Sequence, residues 1–220
     1  MGSTRTGLLA TVTLIASLGG AAQAASLTPT AHGYTRSFGT GQAFGDALAI
    51  QVFQSYPYQD RGVVEFDLTG LSGPVLSAEL WFPLITNTTA NGAAALDVTV
   101  RGYAGNGTID YSDHTAGSDV ASFDAKGLSE ITLDVTSAIA ARIGNGDTYA
   151  GFTTRFDAEG NYAVVPYASW LQLWAQGSNP LPELRIELGQ GPGAQVPLPA
   201  PAVLLVTALG GLAATRRKKG

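Results

Sequence analysis

Six segments in the middle of the chain alternate apolar and polar residues with a period of two. Their apolar members are Val64, Phe66 and Leu68; Ala78, Leu80, Phe82 and Leu84; Leu96, Val98 and Val100; Ile131, Leu133 and Val135; Ala150, Phe152 and Phe156; and Leu184, Ile186 and Leu188. Successive side chains of a strand point to opposite faces, so this alternation is typical of strands with one buried face and one wet face. The pattern predicts antiparallel sheets.

Turn-forming residues separate these segments, for example at 70–74 and 87–92. Three less regular segments, near 34–38, 47–53 and 167–175, bring the expected number of strands to nine or ten. One short helix is expected from Thr136 to Arg142, because this Ala-rich stretch follows Asp134 and stops at Gly144. We therefore predict an all-β domain over residues 25–188, an antiparallel jelly-roll-like β-sandwich with one short helix.

The composition narrows the class of protein. The 220 residues include no cysteine, which excludes a disulfide framework, thiolate metal sites and cysteine catalysis. The part between the two ends carries seven basic and all seventeen acidic residues, a net charge of −10. Such a domain repels nucleic acid and anionic lipid, so neither is an expected partner.

The first 24 residues have the three parts of a secretory signal peptide. Arg5 supplies the basic start, Leu8 to Leu18 is apolar, and Ala22-Gln23-Ala24 supplies the small residues before a cleavage site. We expect cleavage between Ala24 and Ala25, with the Sec machinery and signal peptidase as partners. The alternative is an uncleaved signal anchor.

The C-terminal 25 residues also have three parts in a fixed order. A flexible Gly-rich linker at 189–195 leads to the first part, the motif Val196-Pro197-Leu198-Pro199-Ala200. The second part is an apolar run from Pro201 to Thr215, and the third is the basic cluster Arg216, Arg217, Lys218 and Lys219. The uncharged run is long enough for a tilted transmembrane helix, and the basic cluster is expected in the cytoplasm. The acidic domain would then lie outside the inner membrane.

This end resembles the PEP-CTERM sorting signals, in the variant with a Val-Pro-Leu-Pro-Ala motif. The resemblance implies processing by an exosortase, a membrane-embedded cysteine transpeptidase. It also implies release to the cell surface or beyond, and a source that produces exopolysaccharide. The alternative is a plain C-terminal tail anchor.

A second resemblance covers roughly residues 40–188. The stretches Asp60-Arg61-Gly62-Val63-Val64-Glu65-Phe66-Asp67-Leu68, Ser77-Ala78-Glu79-Leu80, Leu133-Asp134-Val135-Thr136-Ser137-Ala138-Ile139 and Tyr149-Ala150-Gly151-Phe152 look like parts of DNRLRE-type domains. The resemblance implies a β-sandwich of a secreted protein, some members being linked to carbohydrate binding. The Trp-rich segment of those domains is absent, and residues 101–107 stand in its place.

Catalytic signatures are missing from the sequence. There is no Gly-x-Ser-x-Gly, and the two histidines are too few for a three-histidine zinc site. We expect His32 in a loose N-terminal segment and His114 in a solvated loop. A carbohydrate-active enzyme using a pair of carboxylates stays open as an alternative, but most acidic residues stand at outward positions, and we expect no enzyme.

Residues 110–119 contain three carboxylates in one Gly-bearing loop. Asp110, Asp113 and Asp119 offer the oxygen ligands that calcium prefers, although their spacing is not that of an EF-hand. A structural calcium ion is therefore one candidate cofactor.

Three tryptophans suggest a ligand surface. Period two puts Trp170, Gln172 and Trp174 on one face of a strand and Leu171 and Leu173 on the other, and Trp81 stands opposite the apolar set of its own strand. Exposed flat aromatic rings stack on sugars, whereas buried rings would only complete the core. We expect an exported surface protein that contacts exopolysaccharide, the alternatives being the enzyme or a purely structural biofilm component.

Overall fold

Thirteen strands and one α-helix account for most of the residues that the computed structural model describes, which are 22–38, 41–45, 47, 49–55, 57–88, 96–157, 169–175 and 180–190. The strands are β1 (Gln23–Leu27), β2 (Ala31–Ser37), β3 (Gln42–Gly45), β4 (Ala49–Ser55), β5 (Tyr58–Asp67), β6 (Val75–Pro83), β7 (Thr86–Thr88), β8 (Asp97–Gly105), β9 (Ser118–Asp124), β10 (Glu130–Asp134), β11 (Tyr149–Phe156), β12 (Ser169–Ala175) and β13 (Glu183–Leu188). The helix α1 is Thr136–Asn145, and a 3₁₀ helix covers Tyr111–His114. For these residues, the prediction of a mostly β, antiparallel fold with one short helix is confirmed.

Four strands form the smaller sheet, in the order β1, β13, β6, β10, with antiparallel neighbours throughout. Period two is visible in the burial of β6, where Leu80 and Phe82 are fully buried while Glu79 is exposed and Trp81 half-buried between them. The sheet thus presents one apolar face to the core and one polar face to solvent.

The larger sheet has the order β7, β12, β4, β5, β11, β8, β9, and the hairpin of β2 and β3 attaches to β5 through β2. The ten-residue strand β5 organises this sheet. It pairs with β4 over its first residues, with β11 over Gly62–Asp67, and with β2 over Gln59–Glu65.

Both sheets contribute to one hydrophobic cluster. It contains Phe66 and Phe152 of the larger sheet, in edge-to-face contact at 6.2 Å between ring centroids, together with Phe82 and Leu184 of the smaller sheet and Ile139 of α1. All five side chains are 0–1 % exposed. Each buried side chain of this size contributes about 1.5–3 kcal/mol through the hydrophobic effect, so the cluster is the main source of stability in a chain without disulfides.

Helix α1 begins where predicted and ends later. The Asp134 carboxylate accepts the Thr136 N–H at 2.9 Å, and the Thr136 hydroxyl accepts the Ala78 N–H at 2.9 Å, which ties the first turn to β6. Gly144 was expected to stop the helix, but Gly146 does so, because it adopts the left-handed conformation (φ 75°) that closes a helix C-terminus.

Two expectations about the strands are corrected. The structure has thirteen strands where nine or ten are predicted: β1, β3, β7 and β9 are additional, since these edge segments are too short or, in β9, too polar to show a clear alternation. The rule of one wet face fails for β5, where Val63 and Glu65 are as fully buried as Val64 and Phe66. The segment 106–117, which carries the 3₁₀ helix, covers that second face through contacts with Glu65 and Thr153.

All described residues belong to one compact unit, Ala22–Gln195. Within them no helix is both long and apolar enough to cross a membrane. The Val196–Ala200 motif, the apolar run after it, the basic cluster and most of the signal segment lie outside the described residues. Ala24 and Ala25, at the predicted cleavage site, lie in β1 and pair with Glu187 and Ile186 of β13.

Candidate functional site

An arginine surrounded by aromatic rings lies where β2, β3 and β5 meet. Cross-strand pairing puts Tyr34 opposite Phe44 and Arg36 opposite Asp60. The rings of Tyr34 and Phe44 stack, with centroids 4.6 Å apart and planes inclined by 20°. We call the set Tyr34, Arg36, Phe44, Gln51, Tyr58 and Asp60 the arginine–aromatic patch.

The charge of Arg36 is neutralised within this patch. Its Nε and Nη2 donate to Oδ1 and Oδ2 of Asp60 at 2.5 and 2.6 Å, and Gln51 Nε2 donates to the same Oδ2 at 2.7 Å. Asp60 is fully buried, whereas the Arg36 side chain is 26 % exposed. These hydrogen bonds raise the pKa of Arg36 above its ordinary value. The bidentate pair fixes the plane of the guanidinium, and hence the position of the rings around it.

Three aromatic rings contact that guanidinium. Its carbon Cζ lies 5.5 Å from the ring centroid of Tyr34, 5.6 Å from that of Phe44 and 5.3 Å from that of Tyr58, all within cation–π range. The rings are half-buried, and Phe38, which is 48 % exposed, packs against Tyr58 at 4.7 Å. The patch thus offers partly exposed aromatic rings in fixed positions.

A depression of about 530 Å³ opens beside these rings. Its lining consists of Tyr34, Ala43, Phe44, Gly45, Ala47, Ala49 and Gln51. Three alanines and a glycine make up most of this lining, and an aromatic pair and an amide make up the rest. Such a mixture suits a ligand with flat apolar faces and hydroxyl groups at its edges.

The predicted strand with two tryptophans lies next to the patch. Gln172 of β12 pairs in register with Gln51, and Trp170 pairs with Phe53, which in turn pairs with Asp60. Because directly opposite residues share a face of a sheet, these registers place Trp170 and Gln172 in the same cross-strand rows as the patch. Leu171 and Leu173 are fully buried, as the alternation predicts. The side chains of Trp170 and Trp174 lie outside the described residues.

The register shifts between Gln172 and Trp174, so that Trp174 pairs with Ile50. This irregularity interrupts the period-two alternation on which the placement of Trp174 beside Trp170 depends. Roles for Trp170, Gln172 and Trp174 in ligand binding all stay predictions, and the register shift removes the backbone argument that places Trp174 on the same face as the other two.

Trp81 lies on the other sheet. Its Nε1 donates to Glu130 Oε2 at 3.1 Å, and Arg185 Cζ lies 5.8 Å from its ring centroid. A neighbouring depression of about 410 Å³ is lined by residues of β1, β6 and β13, including Glu79, Glu183 and Glu187. The structure therefore does not bring Trp81 together with Gln172, and any ligand at Trp81 would occupy a separate, acidic surface.

The three carboxylates of the predicted calcium loop contact protein groups. Asp110 Oδ1 accepts the Ser112 N–H at 2.7 Å, and Asp113 Oδ2 accepts the Asp110 N–H at 2.8 Å, a reciprocal cap of the 3₁₀ helix. Asp119 forms ion pairs with Arg101 at 3.3 Å and Arg155 at 3.5 Å. Among the residues that the structure describes, no three His, Cys, Asp or Glu side chains are grouped to hold a metal ion. Calcium binding stays a prediction.

A buried polar cluster beneath the segment 106–117 was not expected from the sequence. Glu65 Oε2 accepts the N–H groups of Asn106 and Gly107 at 3.0 and 2.6 Å, and the ring of Tyr103 is close to both Glu65 and Asp113. Burial raises the pKa of Glu65, and it raises that of Asp113 to about 6. Both carboxyl groups are sealed, with Glu65 0 % and Asp113 4 % exposed. A carbohydrate chain has no access to this pair in the described arrangement.

His114 is not a solvated loop residue. It is 4 % exposed, its Nδ1 lies 3.0 Å from Thr35 Oγ1, and its carbonyl oxygen accepts a hydrogen bond from Arg61. Burial and then the charge of Arg61 lower its pKa to about 4, so it is neutral near pH 7. His32, expected in a loose segment, instead lies in β2 and pairs with Val64.

The comparisons with known proteins add no identity to this geometry. No protein-family model matches the chain, and no curated protein matches it significantly. The arginine–aromatic patch and the registers around it are therefore the observations on which a functional interpretation depends.

Proposed function

We propose that this chain is an exported surface protein that binds polysaccharide through the arginine–aromatic patch. The observation that supports this most directly is the cage of three half-buried rings around Arg36, held by the Asp60 pair and bordered by an open depression. Sugar rings bind proteins by stacking their C–H faces on such aromatic rings while their hydroxyls meet amide and charged groups. Gln51, and Gln172 beside it, supply the amides.

The proposed extent of the ligand follows from the sheet. Cross-strand neighbours are about 4.8 Å apart, so the row from Arg36 through Asp60 and Phe53 to Trp170 covers three spacings, about 14 Å. That length suits two or three sugar units of an extended chain. We include Trp170 and Gln172 in the proposed site and regard Trp81 as a separate surface.

The proposed role is binding without catalysis. Among the described residues, two carboxyl groups have raised pKa values, Glu65 and Asp113, and both are enclosed under the segment 106–117, where a glycosidic bond has no access to them. Export, anchoring in the inner membrane and exosortase processing at Val196–Ala200 remain part of the proposal on the strength of the sequence. So does the jelly-roll-like arrangement of the two sheets.

Polysaccharide binding by single variants tests the site. Phe44→Ala removes one ring of the cage, and we expect affinity for crude exopolysaccharide to fall at least about fivefold, if stacking on a sugar contributes on the scale of stacking on a nucleic-acid base, about 1–3 kcal/mol. Trp81→Ala is the matched control, an aromatic residue on the other sheet. Loss of binding with Trp81→Ala but not with Phe44→Ala would move the site to the smaller sheet, and binding unaffected by either would refute both surfaces.

A further inference from the structure

The arginines between the two ends of the chain are all engaged by protein oxygens. Arg36 pairs with Asp60, Arg142 with Asp147, Arg185 with Glu183, and both Arg101 and Arg155 with Asp119. The Arg101–Asp119 contact at 3.3 Å is an ion pair without hydrogen-bond geometry, but Arg101 also donates to the carbonyl of Thr115 at 2.8 Å. The sixth, Arg61, donates to the carbonyl of His114.

The one lysine of this part of the chain is also near an acid. Backbone hydrogen bonds from Leu96 and Lys126, and then the charge of Lys126, lower the pKa of Asp124. In contrast, Glu79, Asp97, Asp134 and Glu187 are exposed acids, and the net charge of the whole part is −10. The described surface therefore combines arginines that are engaged by protein oxygens with a surplus of acidic groups.

An acidic polysaccharide needs cationic side chains that are free to pair with its acidic groups, and on the described surface the arginines are already engaged by the protein. Uronate, sulfate or pyruvate groups bind where arginine or lysine side chains are free to pair with them, and a surplus of protein carboxylates repels such a polymer at a distance. At the patch itself the Arg36–Asp60 pair has no net charge, and both oxygens of Asp60 are occupied by Arg36 and Gln51. What remains for a ligand is ring faces, amides and the outer edge of one matched guanidinium.

From this we propose that the polysaccharide bound at the arginine–aromatic patch is uncharged, a neutral hexose polymer recognised by stacking and hydroxyl hydrogen bonds. The inference rests on the proposed function and adds the chemical class of its ligand. It has a physical consequence that the proposed function alone does not have: affinity is nearly independent of ionic strength, because no ion pair forms between ligand and protein.

The test uses the full chain in an uncharged, sugar-free polyoxyethylene detergent, so that no alkyl glycoside competes for the site. Binding to immobilised dextran, galactomannan and hydroxyethylcellulose is compared with binding to alginate, a polyuronate, with EDTA present. We expect binding to at least one neutral polymer, a Kd that changes less than about twofold between about 20 and 500 mM NaCl, and no binding to alginate. Phe44→Ala should weaken the neutral binding at least about fivefold.

A gain-of-charge variant shows that the assay detects the alternative. Gln42 is exposed and pairs in register with Arg36, so Gln42→Lys places an additional cation beside the patch. This variant should keep the neutral binding and acquire alginate binding at about 20 mM NaCl that disappears at about 500 mM.

Two results would overturn the inference in distinguishable ways. If the unmodified chain binds alginate, with EDTA or only after calcium is added, and Phe44→Ala weakens that binding, the ligand is acidic and the proposed function stands. If the chain binds none of the polymers while Gln42→Lys binds alginate, the assay works and both the inference and the proposed function fail.

Discussion

The buried neighbours Asp113 and His114 should make opposite contributions to stability as the pH falls. Both are 4 % exposed, and burial shifts their pKa values in opposite directions, that of Asp113 from 3.8 to about 6 and that of His114 from 6.5 to about 4. We consider two substitutions that keep hydrogen-bonding shape and remove the titration. Asp113→Asn retains an oxygen for the Asp110 N–H, and His114→Asn retains an amide near Thr35.

Whether each group stabilises or destabilises the fold as the pH falls depends on which state, folded or unfolded, binds the proton more tightly. The raised pKa of Asp113 contributes stability that is full below pH 3.8 and is lost as the pH rises through about 6. The lowered pKa of His114 contributes stability that is full above pH 6.5 and is lost as the pH falls through about 4. Going from pH 7 to about 4.5, the linkage relation gives a gain of about 2 kcal/mol from Asp113 and a loss of about 2 kcal/mol from His114.

The two effects nearly cancel in the unmodified chain, so its free energy of unfolding should change little from this pair between pH 7 and about 4.5. His114→Asn should instead gain about 2 kcal/mol over that interval, and Asp113→Asn should lose about 2 kcal/mol. The raised pKa of Glu65 adds to the direction of Asp113. The carboxylates with lowered pKa values, such as Asp110 and Asp134, titrate below this window.

Urea unfolding of the full chain in uncharged detergent, followed by the fluorescence of its three tryptophans, measures the effect at several pH values. The double variant is the control, because removing both groups should restore the pH profile of the unmodified chain. If His114→Asn follows the unmodified chain to within about 0.5 kcal/mol from pH 7 to 4.5, the argument that burial controls this pair is refuted.

Three further predictions concern the ligand strand, the close packing of the larger sheet and the sorting motif. Leu171→Ala should lower the free energy of unfolding by about 2–5 kcal/mol, because Leu171 is fully buried. Trp170→Ala should cost much less if its ring faces ligand, and a loss of about 3–5 kcal/mol in thermal melts would place that ring in the core. Gly151→Ala should be strongly destabilising, because the added Cβ would lie 2.2 Å from the buried Tyr103 ring. At Gly144 an added Cβ has nothing within 4 Å, so Gly144→Ala should be neutral or stabilise α1 by up to about 1 kcal/mol. Equal melting temperatures for the two variants would contradict this. Pro197→Ala combined with Pro199→Ala should block processing but not export, because two prolines hold the motif extended for an enzyme; unchanged electrophoretic mobility and unchanged release from the membrane would indicate a simple tail anchor.

The strands of the core could be read from the sequence because their pattern is local. A residue two positions along a strand returns to the same face. The burial of Leu80 and Phe82, or of Leu184 and Ile186, can therefore be predicted without knowing the partner strand. The start of α1 is equally local, since the Asp134 carboxylate accepts the N–H of Thr136, the first residue of the helix. The terminal motifs, whose signals lie in contiguous residues, also depend on the sequence alone.

The cover over the second face of β5 and the arginine–aromatic patch both depend on the tertiary structure. Nothing in the alternation around Glu65 reveals that a segment some forty residues later covers it, or that this cover buries His114 against Thr35 from a strand almost eighty residues earlier. Arg36 and Gln51 likewise both reach Asp60 only because β2 and β4 both pair with β5. Local alternation specifies which side chains leave water. Which strands become neighbours depends on pairing across long stretches of chain, and so does the chemistry that neighbouring strands create.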